Sequence, residues 1–172
     1  GLNFQDEELA LERGSYDSVA APTVIQQSGG NFFMVYRADI NEPYSSTSFN
    51  SKTTSLWSAI SSDGIHFQKE SLLVDGAQAS YDGYVDGPEL VTMSDSLHLF
   101  FWTSAGQANI EEQGEYDMTS IDEGKLWSAP YLVVSPSEGN VPWGDPSLLK
   151  VDDIWHMYYT KHTEGIYYAL QE

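Results

Sequence analysis

Two short sequence patterns recur three times each along this chain, and that periodicity constrains its fold more than any other feature. In the first, a glycine is followed three residues on by an aromatic and then by an apolar finish. It runs Gly1-Leu2-Asn3-Phe4 through Leu11, Gly64-Ile65-His66-Phe67 through Val74, and Gly124-Lys125-Leu126-Trp127 through Val134. The second opens on proline: Pro22-Thr23-Val24-Ile25, Pro88-Glu89-Leu90-Val91 and Pro146-Ser147-Leu148-Leu149. Each of these leads through a polar turn into an aromatic run. The runs are Phe33-Met34-Val35-Tyr36, His98-Leu99-Phe100-Phe101-Trp102 and His156-Met157-Tyr158-Tyr159. Short apolar segments between turn residues read as antiparallel hairpins. No stretch carries a capped helical stripe.

Each unit then holds four strands: a proline-led strand, an aromatic strand, a third such as Thr54 to Ile60, and a fourth after an Asp-Gly turn. Four antiparallel strands per repeat make the blade of a β-propeller. A β-sandwich also has many short strands, but it has no reason to repeat this register three times. The fold class is therefore all-β, a propeller of about three blades in a single domain. The blades fall at 12–74, 75–134 and 135–172, the last completed by 1–11, so that one blade is split between the two ends. Three blades are fewer than the four to eight of a closed ring. Two completions are open: blades from a longer chain, or two chains forming a six-bladed ring as a homodimer.

Composition narrows the function. The chain has 172 residues, with 7 basic against 26 acidic and no cysteine. That charge repels nucleic acid and anionic membrane surfaces, so neither is an expected partner. Lack of cysteine excludes disulfides, Cys-based zinc sites and thiol nucleophiles. The acids are scattered, which reads as a solvated surface, and 41% hydrophobic residues argue against disorder. No 18-residue apolar run and no signal peptide are visible, so compartment is not legible from composition.

The blade openings carry a resemblance. Gly144-Asp145-Pro146-Ser147-Leu148-Leu149 resembles the Asp-Pro-Ser opening of five-bladed glycoside hydrolases of family 43, with the related families 32 and 130. Val85-Asp86-Gly87-Pro88-Glu89-Leu90 is similar to the Glu-Gly-Pro opening of another blade, and Ser62-Asp63-Gly64-Ile65-His66-Phe67 to the recurrent Asp-Gly hairpin. The resemblance implies a glycosidase, or a module that binds an oligo- or polysaccharide of arabinan, xylan or fructan type. It slightly favours a secreted or periplasmic protein. It places Asp145 as catalytic base and Asp86 as acid, with Glu89 in reserve. Ala21 stands where the family pattern has an Asp that tunes pKa, and Asp86 where it has a Glu. Those departures favour the alternatives: a non-catalytic carbohydrate-binding propeller, or a protein-interaction one.

Glycoside hydrolysis needs one protonated carboxyl at the leaving oxygen and one ionised carboxylate at water or carbon. Tyr81, Asp82, Tyr84 and Trp143 are candidate sugar-binding residues, with rings for sugar faces and a carboxylate for hydroxyls. Strand alternation sets Asp86 and Glu89 on opposite faces. No cofactor is expected, with Ca²⁺ on Asp82, Asp86 and Glu89 structural at most. His98 and His156 sit at equivalent places and read as structural. No nucleophile elbow marks a serine.

Overall fold

The structure is a computed structural model that describes residues 8–40, 53–77, 84–103, 114–135, 143–161 and 164–171. Strands β1 (Ser18–Gln26), β2 (Phe32–Ile40), β3 (Thr53–Ser61) and β4 (Gln68–Asp75) form one antiparallel sheet in sequence order. Strands β5 (Val85–Met93), β6 (Ser96–Thr103), β7 (Gly114–Ser120) and β8 (Tyr131–Val134) form a second in the same order. The third contains β9 (Trp143–Val151), β10 (Ile154–Lys161) and β11 (Gly165–Leu170). There is no helix among the described residues. The all-β propeller architecture expected from the repeats is present, with β5 packed between β1 and β9 so that the first strands of the blades lie innermost.

Stacking of blades explains the aromatic runs. Phe33, Val35, Leu56 and Val74 of the first blade interleave with Leu90, Leu97, Leu99, Phe101 and Met118 of the second. Phe100, on the other face of β6, packs with Met157 and Tyr159 of the third. A strand covered on both faces loses the in–out alternation of a half-exposed one, so β6 reads as a continuous apolar run.

The outer face of the first blade carries Met34, Tyr36, Ala38 and Ala59, covered by Tyr16, Phe67, Ala10 and Leu11. The backbone N–H of Phe67 donates to the Ala10 carbonyl at 2.8 Å. The strand expected at 1–11 falls mostly outside the described residues. Its described end, 8–11, has no strand structure and lies on the first blade rather than beside β11. The outer face of the third blade is uncovered: Leu149, Tyr158, Ile166, Tyr168 and Leu170 are exposed.

The Asp-Gly hairpin works through its side chains. The Ser61 hydroxyl donates to Asp63, and the Asp63 carboxylate accepts the backbone N–H groups of Ile65 and His66. Ser120 and Asp122 repeat the device, with the Leu126 N–H donating to Asp122. The His66 side-chain hydrogen bond, with the backbone bonds after it, holds Asp63 well below the usual carboxylate range.

Gly124 closes the second of these turns against the first blade, with φ at +93°. A Cβ there would stand 2.8 Å from Phe33 Cζ, in the core between the blades. Gly124→Ala is therefore expected to cost about 2 kcal/mol, from backbone strain plus overpacking. Urea unfolding checks it. Gly29→Ala, whose added Cβ would meet no atom within 4 Å, serves as the control.

Candidate active site

A shared distortion opens the inner strand of every blade. The residue before each proline has positive φ: +49° at Ala21, +58° at Gly87 and +50° at Asp145. At each the ladder register slips, between Ala20 and Thr23, between Asp86 and Glu89, and on β9 opposite Tyr158 and Thr160. Proline has no N–H for the ladder and bars the residue before it from right-handed helical geometry. The outcome is a bulge, which re-aims side chains at the mouth where the inner strands meet.

The bulge corrects the face expected for Glu89. Asp86 stands opposite Trp102, and Glu89 opposite Phe100, two residues along β6. The two bulged residues, Gly87 and Pro88, are absorbed between them, so Asp86 and Glu89 share a face instead of alternating. Glu89 is half-buried, and burial pushes its carboxyl pKa up.

Asp145 is exposed, and Gly87 lets it come close. A Cβ at Gly87 would lie 3.0 Å from Asp145 Oδ1 and 2.9 Å from Trp102 Cδ1. Non-glycine residues at positive φ are strained by roughly 1–3 kcal/mol, and such strain concentrates at functional positions. Trp143 begins β9, two residues before Asp145.

Asp86 is buried and held by three donors. Arg37 Nη1 lies 2.5 Å from Asp86 Oδ2, the Tyr84 hydroxyl donates to the same oxygen at 2.9 Å, and the Gly87 N–H donates to Oδ1 at 2.8 Å. Arg37 Nε also stands 3.0 Å from Asp39 Oδ1, and the Ser18 hydroxyl donates to Asp39 Oδ2 at 2.5 Å. Burial opposes the guanidinium charge, but Asp86 and Asp39 more than offset it, and the Arg37 pKa rises. Tyr84 is itself buried, tilted against Trp102 at 5.2 Å. Burial, then the Asp86 charge, pushes its phenol pKa up.

Arg37 and Glu115 are site residues that sequence reasoning missed. Glu115 is on β7, in one cross-strand row with Asp86 and Trp102. It is fully buried, and among the described residues neither carboxylate oxygen has a hydrogen-bond partner. Burial first, then the nearby Asp145 charge, pushes its pKa up to about 8.

The candidates Tyr81 and Asp82 lie outside the described residues. Among those described, no three His, Asp or Glu side chains converge to hold a metal ion. His98 Nδ1 pairs with Asp117 Oδ2 at 2.8 Å, and Nε2 lies 3.0 Å from the Ser96 hydroxyl. That hydroxyl also donates to the Met93 carbonyl across the β5–β6 turn, so the cluster ties a hairpin to its neighbouring strand. His156 tilts against Tyr168 at 5.6 Å.

No family model matches the chain, and no curated protein sequence does. Solved structures do. A family 117 glycoside hydrolase of the marine bacterium Zobellia galactanivorans superposes with a TM-score of 0.70 at 13% identity, over 94% of this chain and 55% of that one. The fold is that of the propeller glycoside hydrolases. A second structure comes from family 130, whose mannoside phosphorylases are joined by hydrolases targeting β-1,2-mannosidic linkages in Candida mannan. It matches with a TM-score of 0.63 at 18% identity, over 90% of this chain and 46% of that one. The catalytic domain of the Coprinopsis cinerea family 62 α-L-arabinofuranosidase gives a TM-score of 0.57 at 13% identity, over 91% and 47%. The chain thus spans about half the length of these propeller hydrolases.

Proposed function

We propose that the mouth between the inner strands binds and hydrolyses an uncharged oligosaccharide, of the arabinan, xylan or fructan kind. The observation that carries this is the exposed Asp145 carboxylate, aimed by a strained bulge over Gly87 and next to the fixed Asp86. Asp145 acts as the base that takes a proton from water. Asp86, its Oδ2 already engaged by Arg37 and Tyr84, is an anchor for sugar hydroxyls rather than the proton donor. Glu89, whose pKa burial raises, gives the proton to the leaving oxygen. An excess of 19 negative charges disfavours sulfated or uronic substrates.

Asp145→Asn is expected to lower cleavage of a responsive glycan by roughly 10²–10⁴-fold with binding retained. Unchanged cleavage would overturn the assignment. Ala21, at the third equivalent bulge, favours a second reading, in which the mouth binds sugar without cleaving it. Binding without release of reducing ends from any of the three glycans selects that reading.

The uncovered face of β9–β11 fits closure of the ring by further blades. A second copy of this chain is one source, and light scattering then gives twice 19.2 kDa. A constant 19.2 kDa across micromolar concentrations leaves only blades from a longer chain.

A further inference from the structure

Glu115 is the one fully buried carboxyl described that has no hydrogen bond, and it shares a cross-strand row with Trp102 and Asp86 at the proposed sugar mouth. Trp102 is its neighbour in the row on one side, and Trp102 meets Asp145 over Gly87. Among the described residues, the groups around it leave its charge uncompensated. Asp86 lies beyond Trp102 in the same row and is taken up by Arg37. Asp145 on β9 is a like charge. Tyr159 on β10 feels the Glu115 charge and is itself pushed up, mainly by burial. Lys161, two residues along the same face of β10, lies over the Tyr167 ring at 4.2 Å. Asp117, next on the Glu115 face of β7, is occupied with His98. On β6 and β8 the row offers only Trp102 and Val134.

An isolated carboxylate in such a place is far less stable than the neutral acid. We propose that Glu115 is a positioning residue of the mouth, held as a neutral acid beside Asp145 so that the pair carries one negative charge rather than two. This rests on the reading of the mouth as a sugar site and deepens it: Glu115 keeps Asp145 as the single ionised base. Loss of the Glu115 proton then sets the alkaline limit of the site. The Asp that the family pattern uses for tuning is Ala21 here, and Glu115 serves the mouth from a different strand and blade.

Carboxyl ¹³C and backbone amide NMR on the full chain test this without any substrate. The Glu115 carboxyl is expected to titrate near pH 8, and the backbone amide signals of Gly87 and Gly144 to shift in the same range. In Glu115→Gln that shift disappears. A Glu115 midpoint between pH 4 and 5, or Gly87 and Gly144 amide signals that stay constant through pH 8 in the unmodified protein, overturns the proposal. Affinity for a neutral oligosaccharide is then expected to fall above pH 8 in the parent and stay flat in Glu115→Gln. If no sugar binds, the sugar reading fails while the NMR result still decides the role of Glu115.

Discussion

Glu115→Gln is expected to leave stability nearly unchanged at pH 4 and to raise it by roughly 4 kcal/mol at pH 8. The folded chain holds the Glu115 proton up to about pH 8, against an ordinary value of 4.5. A raised folded pKa means that the folded state binds more protons across that window, so stability falls as pH rises through it. The contribution is fully present below about 4.5 and lost once the pH passes about 8, at about 1.4 kcal/mol per pH unit. Glutamine is neutral throughout and close in shape, so the variant lacks this slope. Parallel urea titrations at pH 4, 6 and 8 read the difference directly. Equal stability of the two proteins at pH 8 would mean that Glu115 is solvated or paired.

Arg37→Met is expected to destabilise the fold by about 3–5 kcal/mol at neutral pH. Methionine keeps the apolar stem but strands Asp86 and Asp39, both buried, without their shared cation. Arg37→Lys keeps the charge but cannot span both carboxylates with one planar fork, so an intermediate loss is expected. The double variant Arg37→Met, Asp86→Asn should be less unstable than the sum of the two singles, because one buried carboxylate instead of two then lacks the shared cation. Additivity within experimental error would show that Arg37 acts through packing alone.

Much of the propeller was legible because its signals are local. Prolines, the Asp-Gly turn and the aromatic runs each specify a strand or hairpin at short range, and the threefold recurrence supplies the architecture. The site was less so. Strand alternation misplaced Glu89 because the bulge at Gly87 and Pro88 absorbs part of the count; the Gly-Pro pair was visible in the sequence, but the positive φ that makes the bulge was not. Arg37 left a signal too: a single cation in the apolar run Phe33-Met34-Val35-Tyr36-Arg37-Ala38-Asp39, where a buried charge needs a partner. Glu115 left none. In Gly114-Glu115-Tyr116-Asp117 it reads as an ordinary polar strand residue, and only the packing of the third blade against the second buries it.

The proposed function turns on sugar binding where the inner strands meet. Amide and indole NMR shifts, followed while neutral arabinan, xylan and fructan fragments are added, test it most directly. Saturable shifts are expected at Gly87, Gly144, Asp145 and the Trp102 indole, abolished or weakened in the Asp145→Ala protein. Shifts confined to the exposed face of the third blade at Leu149, Tyr158 and Tyr168, or no shift with any of the three glycans, would contradict it.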